Sequence, residues 1–447
     1  MNLISSPGSP LQGVLCVPGD KSLSHRAALF AALAEGESRI ENFLVSGVTQ
    51  AMLEALTALG VAWKLEDQGG QRRRLVVQGR GARRLSNPTK ALDCGNSATT
   101  MRLLAGALAA AGVSATLDGS AGLRRRPMDR IVEPLQQMGV AIMATGGCPP
   151  LVMRLSGFPL RPLQYSLPVA SAQVKTCLLL AALAASGPTT LVEPGPSRDH
   201  SERMLRGMGV TITNEKGYQD GKPFYKTSLT PPRGLVLSPL AMALPGDFSS
   251  AAFLIVAALI TPGSAVTIRE VGLNSARTGL LDALLGMGAD ICITSQSTRS
   301  GEPVGDLHVK YSRLHGATIC GEQVVRMIDE FPIFAIAAAY ASSPTTVSEA
   351  AELRLKESDR IAVLCEELRK LGVQAVEHPD GFTIQGGTAV QGGVIQPHGD
   401  HRLAMSLAVA GLASQAPVAI QDAQIIAESF PEFTQTLRGL GGKLVVE

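Results

Sequence analysis

The sequence predicts an α/β protein of two domains, each built from three similar units, and three observations support this prediction. The chain has 447 residues, which exceeds the size at which a single hydrophobic core stops growing. A polar or glycine-containing segment followed by an apolar helix recurs six times, and a helix ending at glycine before a strand also recurs six times. Self-similarity at a fixed period is the signature of a repeated structural unit.

The first series consists of six short polar segments, here called the heads, each followed by an Ala/Leu-rich run. Successive heads are 71 to 82 residues apart, and they lie at Asp20, Gly95, Ser171, Asp247, Asp329 and Asp400. The runs that follow, such as AALFAALA and MRLLAGALAAA, are apolar on nearly every side. A helix without a polar face must be buried, so we expect these six helices to form the cores.

The second series consists of amphipathic helices that end at Leu-Gly or Met-Gly and lead into a strand. The glycines are Gly60, Gly139, Gly209, Gly288, Gly372 and Gly441. Glycine just past the last helical turn adopts left-handed dihedral angles without a Cβ clash. Each unit of about 75 residues therefore contains two helices and several short strands.

The six units divide into two groups of three, because Pro18-Gly19-Asp20 and Pro245-Gly246-Asp247 open the groups in the same way. We predict an N-terminal domain over residues 21–242 and a second domain formed by 1–20 plus 243–447. Two hinges are expected near residues 20 and 243. The segment before residue 20 is expected to pair with strands of the second half.

Composition excludes several classes of function. The net charge is +2 and aromatic residues make up 4%, so no nucleic-acid or membrane partner is expected. Seven scattered cysteines without a C-x-x-C pair favour reduced thiols in the cytoplasm. We expect no signal peptide and no membrane span.

The heads predict a site for anions, because helix N-termini offer unpaired N–H groups and partial positive charge. Cations accompany them at Lys21, Arg26, Arg126, Lys175, Lys356, Arg360 and Arg402. The alternative is that head residues are ordinary N-caps and the charges form structural ion pairs. That alternative is reasonable for Arg102, Arg124, Asp359 and Glu330.

Metal and nucleotide sites are disfavoured by the sequence. His25, His200 and His401 lack metal-ligand spacing, and neither a G-x-x-x-x-G-K-[ST] loop nor a strand-linked G-x-G-x-x-G is present. We therefore expect two anionic small molecules, acid–base groups, no metal and no cofactor.

At these motifs the chain resembles the EPSP synthase family, over essentially its whole length. The most specific matches are Pro18-Gly19-Asp20-Lys21-Ser22-Leu23-Ser24-His25-Arg26 and Leu353-Arg354-Leu355-Lys356-Glu357-Ser358-Asp359-Arg360. The resemblance implies the two-domain enolpyruvyl transferase fold, an inside-out α/β barrel-like arrangement with three βαβαββ repeats per domain. It also implies a cytoplasmic, monomeric transferase of the shikimate pathway, which leads to chorismate and the aromatic amino acids.

The resemblance assigns residues to two substrates. Shikimate 3-phosphate would be bound by Lys21, Ser22, Arg26, Ser171, Ala172, Gln173, Ser197, Asp329 and Lys356. Phosphoenolpyruvate would be bound by Lys21, Asn96, Ala98, Arg126, Gln173, Arg360 and Arg402. By the same resemblance the catalytic residues are Asp329, which takes the proton of the 5-hydroxyl, and Glu357 with Lys21, which handle the proton at C3 of phosphoenolpyruvate.

Two departures from the family pattern have consequences. Glu428 stands where some members carry a lysine that contacts phosphoenolpyruvate, and Lys175 or Arg198 are candidates to compensate. Ala98 stands where glyphosate-sensitive members have glycine, so the chain resembles the second, glyphosate-tolerant class and weak inhibition by glyphosate is expected.

Two alternative functions remain open at this point. The sister enzyme that acts on UDP-N-acetylglucosamine shares the fold and often carries a cysteine in the loop before its Arg-Pro pair. In this chain the loop from Gly119 to Pro127 has no cysteine. A catalytically inactive anion-binding relative is the other alternative, although every expected acid and base is present.

Overall fold

The structure is a computed structural model that describes residues 1–69, 72–154, 157–219 and 222–447. The α-helices of the described residues are α1 (Lys21–Leu33), α2 (Gly47–Ala58), α3 (Ala98–Ala111), α4 (Asp129–Gln137), α5 (Ala172–Ala182), α6 (His200–Gly207), α7 (Phe248–Ile260), α8 (Gly279–Gly286), α9 (Glu322–Arg326), α10 (Phe331–Ala339), α11 (Arg360–Lys370), α12 (His401–Ala410) and α13 (Phe433–Gly439).

The strands of the same residues are β1 (Leu3–Ser6), β2 (Gln12–Cys16), β3 (Glu35–Glu41), β4 (Ala62–Asp67), β5 (Arg73–Arg80), β6 (Leu92–Asp93), β7 (Ala115–Asp118), β8 (Ala141–Thr145), β9 (Cys148–Arg154), β10 (Gln164–Ser166), β11 (Thr189–Glu193), β12 (Thr211–Gln219), β13 (Lys222–Thr230), β14 (Ala241–Ala243), β15 (Ala265–Gly272), β16 (Asp290–Arg299), β17 (Glu302–Lys310), β18 (Thr318–Ile319), β19 (Thr345–Val347), β20 (Ala375–His378), β21 (Gly381–Ile384), β22 (Gly393–Ile395), β23 (Val418–Ile420) and β24 (Lys443–Val446).

The order of the elements repeats along the chain as strand, helix, strand, helix, strand, strand. The first unit runs from β2 to β5, the next four follow in register, and the sixth begins at β22. In the fifth unit the short helix α9 precedes α10 as an addition. In the sixth, only β24 follows the second helix, and β1 supplies the remaining strand of the sheet. The predicted α/β fold of βαβαββ repeats is thereby confirmed.

Every βαβαββ repeat contributes to a four-stranded sheet of the same design. In the sheet β6-β7-β9-β8, the first pair is parallel and the other two pairs are antiparallel. The other five sheets also begin with a parallel pair. Six copies of one local pairing pattern explain why the sequence has a single period.

The strand that opens each half pairs in the other half of the sequence. β2, before α1, lies parallel to β15, whereas β14, before α7, lies parallel to β3. β1 pairs antiparallel with both β23 and β24, so the predicted pairing of the N-terminal segment with the second half is observed.

The chain forms two compact units. One contains Met1–Pro18, Pro245–Thr298 and Pro303–Glu447, and the other contains Gly19–Leu244 and Arg299–Glu302. They are called the C-terminal unit and the N-terminal unit below. The hinges near residues 20 and 243 stay predictions.

The N-terminal unit and the C-terminal unit each have a hydrophobic core, built around the apolar helices that the sequence indicated. α1, α3 and α5 pack together in the N-terminal unit, and α7, α10 and α12 pack together in the C-terminal unit. All six predicted helix-ending glycines have positive φ, between 77° at Gly372 and 103° at Gly441. Within the described residues, no helix is both long and apolar enough to cross a membrane.

Candidate functional site

Five of the six apolar helices begin at an N-cap residue whose side chain accepts a backbone hydrogen bond, and the exception is α10, which begins after Glu330. Asp20 accepts a hydrogen bond from the Leu23 amide at 2.8 Å, and Asp400 accepts one from the Arg402 amide at 2.9 Å. Ser97 caps α3 in the same way. Capping satisfies only some of the unpaired amides at a helix start, so it is compatible with anion binding at the same ends.

In the N-terminal unit, Arg26 joins the first head to the third. Its side chain is 2% exposed, and it donates to Ser201 Oγ at 2.7 Å and to Thr176 Oγ1 at 3.0 Å. It also donates to the carbonyl oxygens of Ser22 and Ala172. Four of the predicted shikimate 3-phosphate residues (Ser22, Arg26, Ser171 and Ala172) are therefore neighbours.

Gln173 joins the third head to the second. Its Oε1 accepts a hydrogen bond from Arg102 at 2.7 Å, and its amide nitrogen donates to Thr99 Oγ1 at 2.8 Å. Arg102 also donates to the carbonyl of Pro127, which directly follows Arg126. Gln173 thus lies beside the start of α3, where Asn96 and Ala98 are found.

Lys175 is held in a buried cluster behind these residues, here called the Lys175 cluster. Its Nζ lies 2.8 Å from a carboxylate oxygen of Glu193 and 2.8 Å from one of Glu202. Burial by itself lowers the pKa of Lys175, but Glu202 and Glu193 together raise it above its ordinary value. The amine is therefore a cation engaged by two carboxylates and is not available to replace the lysine absent at Glu428.

The Lys175 cluster also contacts the backbone of two predicted substrate-binding segments. Glu193 accepts from the amide of Ser171 at 3.1 Å, and Lys175 donates to the carbonyl of Ser197 at 3.5 Å. Next to Ser197, Arg198 reaches Ser22 Oγ at 3.4 Å. The segment that carries Ser197 is thus tied to both the first and the third heads.

His25, the histidine of the first motif, is buried and neutral. Burial, reinforced by the positive charges of Lys21 and Arg26, lowers the pKa of His25 from 6.5 to about 4. Nδ1 lies 2.8 Å from the carbonyl oxygen of Lys21, and Nε2 lies 3.2 Å from that of Val48. A neutral imidazole carries one N–H and therefore donates to only one of these two carbonyl oxygens. The role of His25 is structural, beside the first turn of α1.

In the C-terminal unit, Arg360 lies among three carboxylates. It is 1% exposed and donates at 2.7 Å to Asp400 and at 2.7 Å to Glu357. Its Nη1 lies 3.7 Å from Asp329 and has no hydrogen-bond partner among the described residues. A buried guanidinium with one such nitrogen is suited to bind an added anion.

Arg402 approaches the same acids from the start of α12. Its Nη2 lies 3.8 Å from Asp329, and its Nη1 lies 3.9 Å from Glu330. Asp329 therefore lies between two guanidinium groups, and its side chain stays 20% exposed. The structure thus brings together four predicted residues of this half: Asp329, Glu357, Arg360 and Arg402.

Sequence reasoning missed Arg277, which joins the fourth head to the fifth. Arg277 is buried and donates to Asp247 at 2.6 Å and to Ser249 at 2.7 Å, and Ser249 in turn donates to Glu330. A signal was present in the repeat. Arg126 precedes α4, Arg198 precedes α6 and Arg277 precedes α8, each by two or three residues.

Two of the structural alternatives are correct. Arg124 pairs with Asp118 at the surface, and this hydrogen bond lowers the pKa of Asp118. Asp359 caps α11 by accepting from the amides of Ile361 and Ala362, and it pairs with Arg354 at 2.7 Å. Both charges therefore have structural partners within the chain.

The remaining predicted residues lie at the ends of elements. Lys21 is the first residue of α1, Arg126 follows the short 3₁₀ helix Leu123–Arg125, and Lys356 follows the 3₁₀ helix Ala351–Leu355. Their roles stay predictions. None of the three histidines considered from the sequence belongs to a group with metal-ligand geometry in the described residues, where such a group is Glu366, Glu367 and His398.

Comparisons with known proteins show the family of the chain. The sequence profile of EPSP synthase (3-phosphoshikimate 1-carboxyvinyltransferase) matches residues 5–437. The 3-phosphoshikimate 1-carboxyvinyltransferase of Coxiella burnetii is 45% identical over 443 residues, 99% of this chain and 97% of the relative. That of Xanthomonas axonopodis pv. citri is 48% identical over 439 residues, 98% of this chain and 96% of the relative.

A solved structure of EPSP synthase from Acinetobacter baumannii superposes with a TM-score of 0.83 at 40% identity, covering 100% of both chains. Sequence and fold agree over nearly the full length. The chain therefore belongs to the EPSP synthase family.

Proposed function

We propose that this chain transfers the enolpyruvyl group of phosphoenolpyruvate to the 5-hydroxyl of shikimate 3-phosphate. The products are 5-enolpyruvylshikimate 3-phosphate and phosphate, in the shikimate pathway of aromatic amino-acid biosynthesis. The observation that carries the proposal is the position of Asp329 between the guanidinium groups of Arg360 and Arg402. This arrangement offers a base and two anion-binding groups at one place.

Shikimate 3-phosphate is assigned mainly to the N-terminal unit. Arg26 joins the first and third heads through its hydrogen bonds, and the helix N-termini at such heads bind phosphate and carboxylate oxygens. The assigned residues are Lys21, Ser22, Arg26, Ser171, Ala172, Gln173 and Ser197, with Asp329 and Lys356 reaching the ring hydroxyls.

Phosphoenolpyruvate is assigned to Lys21, Asn96, Ala98, Arg126, Gln173, Arg360 and Arg402. Its phosphate and carboxylate groups suit forked contacts from arginine. Arg360 supports this assignment because its buried Nη1 makes no hydrogen bond within the described part of the chain.

The proposed chemistry requires three proton transfers, one at the 5-hydroxyl oxygen and two at C3 of phosphoenolpyruvate. Asp329 removes the proton of the 5-hydroxyl as that oxygen attacks C2 of phosphoenolpyruvate, while Glu357 with Lys21 delivers a proton to C3. Glu357, which has lost its proton in the first step, then takes a proton back from C3 of the tetrahedral intermediate as the C2–O bond to phosphate breaks and phosphate leaves. Guanidinium groups stabilise the negative charge of the departing phosphate, and the cations beside Asp329 favour the ionised form that a base needs.

Glyphosate is proposed to inhibit this chain weakly. Ala98 is the first residue of α3, next to the cap Ser97, and it is 5% exposed. The proposal places its methyl group at the assigned phosphoenolpyruvate site, where glycine would leave more room. The longer inhibitor loses more from that methyl group than the substrate does.

Phosphate release by the purified protein tests the function. Release is expected with phosphoenolpyruvate plus shikimate 3-phosphate and not with phosphoenolpyruvate plus UDP-N-acetylglucosamine. Release with the sugar nucleotide alone would assign the sister reaction, and silence with both acceptors would indicate an inactive relative.

A further inference from the structure

α11 carries two side chains that face the same neighbouring segment, residues 396–400. Arg360 lies in its first turn and Glu367 lies seven residues later. Seven residues are close to two helical turns, about 10.5 Å along the axis, so both side chains project from one face. Arg360 binds Asp400 at 2.7 Å, and Glu367 binds the other end of the segment.

Glu367 is fully buried, although it lies near the exposed end of the helix. Its Oε2 accepts a hydrogen bond from the Gln396 amide at 3.1 Å. Its Oε1 accepts from His398 Nε2 at 2.9 Å and from Lys370 Nζ at 2.7 Å. A buried carboxylate with three donors is a fixed point in the structure, because removing its charge leaves donors without an acceptor.

The segment that Glu367 holds has an unusual backbone. His398 has a φ of +50° and Gly399 has a φ of +74°. Left-handed dihedral angles are unfavourable for a residue with a Cβ and persist where the surroundings impose them. The ring contact to Glu367 and the hydrogen bond from the Asp400 amide to the Pro397 carbonyl, at 2.9 Å, supply that constraint.

The turn leads directly into functional residues. Asp400 follows Gly399 and caps α12 by accepting from the Arg402 amide. Any shift of the turn therefore moves Asp400, which is the hydrogen-bond partner of Arg360. The first residues of α12 move with Asp400.

A metal ion is not needed to explain this cluster. Glu366, Glu367 and His398 have ligand atoms close together, but Lys370 Nζ lies 2.9 Å from Glu366 and 2.7 Å from Glu367. The ammonium group already supplies positive charge and hydrogen-bond donors to both carboxylates.

We propose that Glu367 is a positioning residue for phosphoenolpyruvate binding. Glu367 and Arg360 form a two-point clamp that fixes residues 396–400 on α11 and so sets the distance between Arg360 and Arg402. This inference rests on the assignment of those two arginines to phosphoenolpyruvate in the proposed function.

The test compares two neighbouring substitutions. Glu367→Gln keeps the shape and one acceptor but places an amide N–H₂ against donors, whereas Glu366→Gln removes an exposed carboxylate that also binds Lys370. A third variant, His398→Gly, removes the contact between the imidazole ring and Glu367. Glycine adopts the positive φ of this position without strain.

Two readouts are measured on the full chain: steady-state KM values for each substrate, and amide hydrogen exchange of peptides covering residues 393–405. Glu367→Gln is expected to raise KM for phosphoenolpyruvate by about tenfold, since small displacements of positioned groups weaken catalysis strongly. KM for shikimate 3-phosphate should change less than twofold, and exchange over residues 396–402 should accelerate. His398→Gly should show part of both effects, and Glu366→Gln neither.

Equal effects of Glu367→Gln and Glu366→Gln, or equal changes in both KM values, would overturn the clamp. Unchanged exchange over residues 396–402 in Glu367→Gln would overturn it as well, whether or not the enzyme turns over. Failure of the proposed function is separate, because the wild-type protein would then release no phosphate.

Discussion

Replacing Lys175 with methionine tests the buried charge cluster of the N-terminal unit. The substitution leaves Glu193 and Glu202 facing each other with side chains that are 2% and 0% exposed. Breaking a buried ion pair by removing one partner costs about 3–5 kcal/mol. For a unit of this size, with about 2–4 °C per kcal/mol, the melting temperature of that unit should fall by about 6–20 °C.

The assay is thermal unfolding followed by circular dichroism, with the variant K175M/E193Q/E202Q as the matched control. Neutral amides in place of both carboxylates remove the uncompensated charge, so the triple variant should recover most of the lost stability. A surface control, Arg124→Ala, should cost less than about 1 kcal/mol because its pair with Asp118 is exposed. The reasoning is refuted by a K175M variant within 2 °C of wild type, or by a triple variant as unstable as K175M.

The other predictions concern ligands and pH. Ala98→Gly should lower the inhibition constant of glyphosate far more than KM for phosphoenolpyruvate, and equal constants for both proteins in steady-state inhibition assays would contradict the proposed contact. Arg360→Lys retains the charge but loses the fork that contacts three carboxylates, so kcat/KM for phosphoenolpyruvate should fall about 100-fold; a change within twofold argues against the assignment. The folded state holds His25 neutral with a pKa of about 4, below the ordinary 6.5. The stability from His25 is therefore present above pH 6.5 and lost as pH falls towards 4, by about 3 kcal/mol. Urea unfolding of His25→Gln should show a shallower loss over that window, and identical pH profiles would contradict the assignment.

Local signals made much of the fold predictable. Each apolar run required burial, and each glycine after an amphipathic helix required a left-handed dihedral angle, as Gly60 and Gly139 illustrate. Period and helix type follow from such neighbouring residues. The parallel pairing of β14 with β3 depends on residues about 200 positions apart, and no local pattern specifies that exchange.

The site was predictable where a charge stood in an otherwise apolar run. Lys175 and Arg402 stand in such runs, whereas Arg360 was selected because it follows the fifth head within the charged motif of residues 353–360. Arg360 and Arg402 both approach Asp329. The carboxylates that pair with Lys175 were harder to predict from the sequence. Glu193 and Glu202 stand in ordinary surroundings, and only the fold brings both of them to Lys175. Arg277 also stands in ordinary surroundings and was missed. Only its equivalence to Arg126 and Arg198 in the repeat distinguishes it.

Deuterium incorporation tests the central claim most directly. The account requires C3 of phosphoenolpyruvate to gain a proton from the protein and lose one before product forms. Turnover in D₂O with shikimate 3-phosphate should therefore place deuterium in the vinyl group of the product, seen by NMR, and Glu357→Gln should slow turnover by about 10²–10⁴-fold. A product free of deuterium at that carbon would contradict the account. Turnover by Glu357→Gln at the normal rate would contradict the role of Glu357.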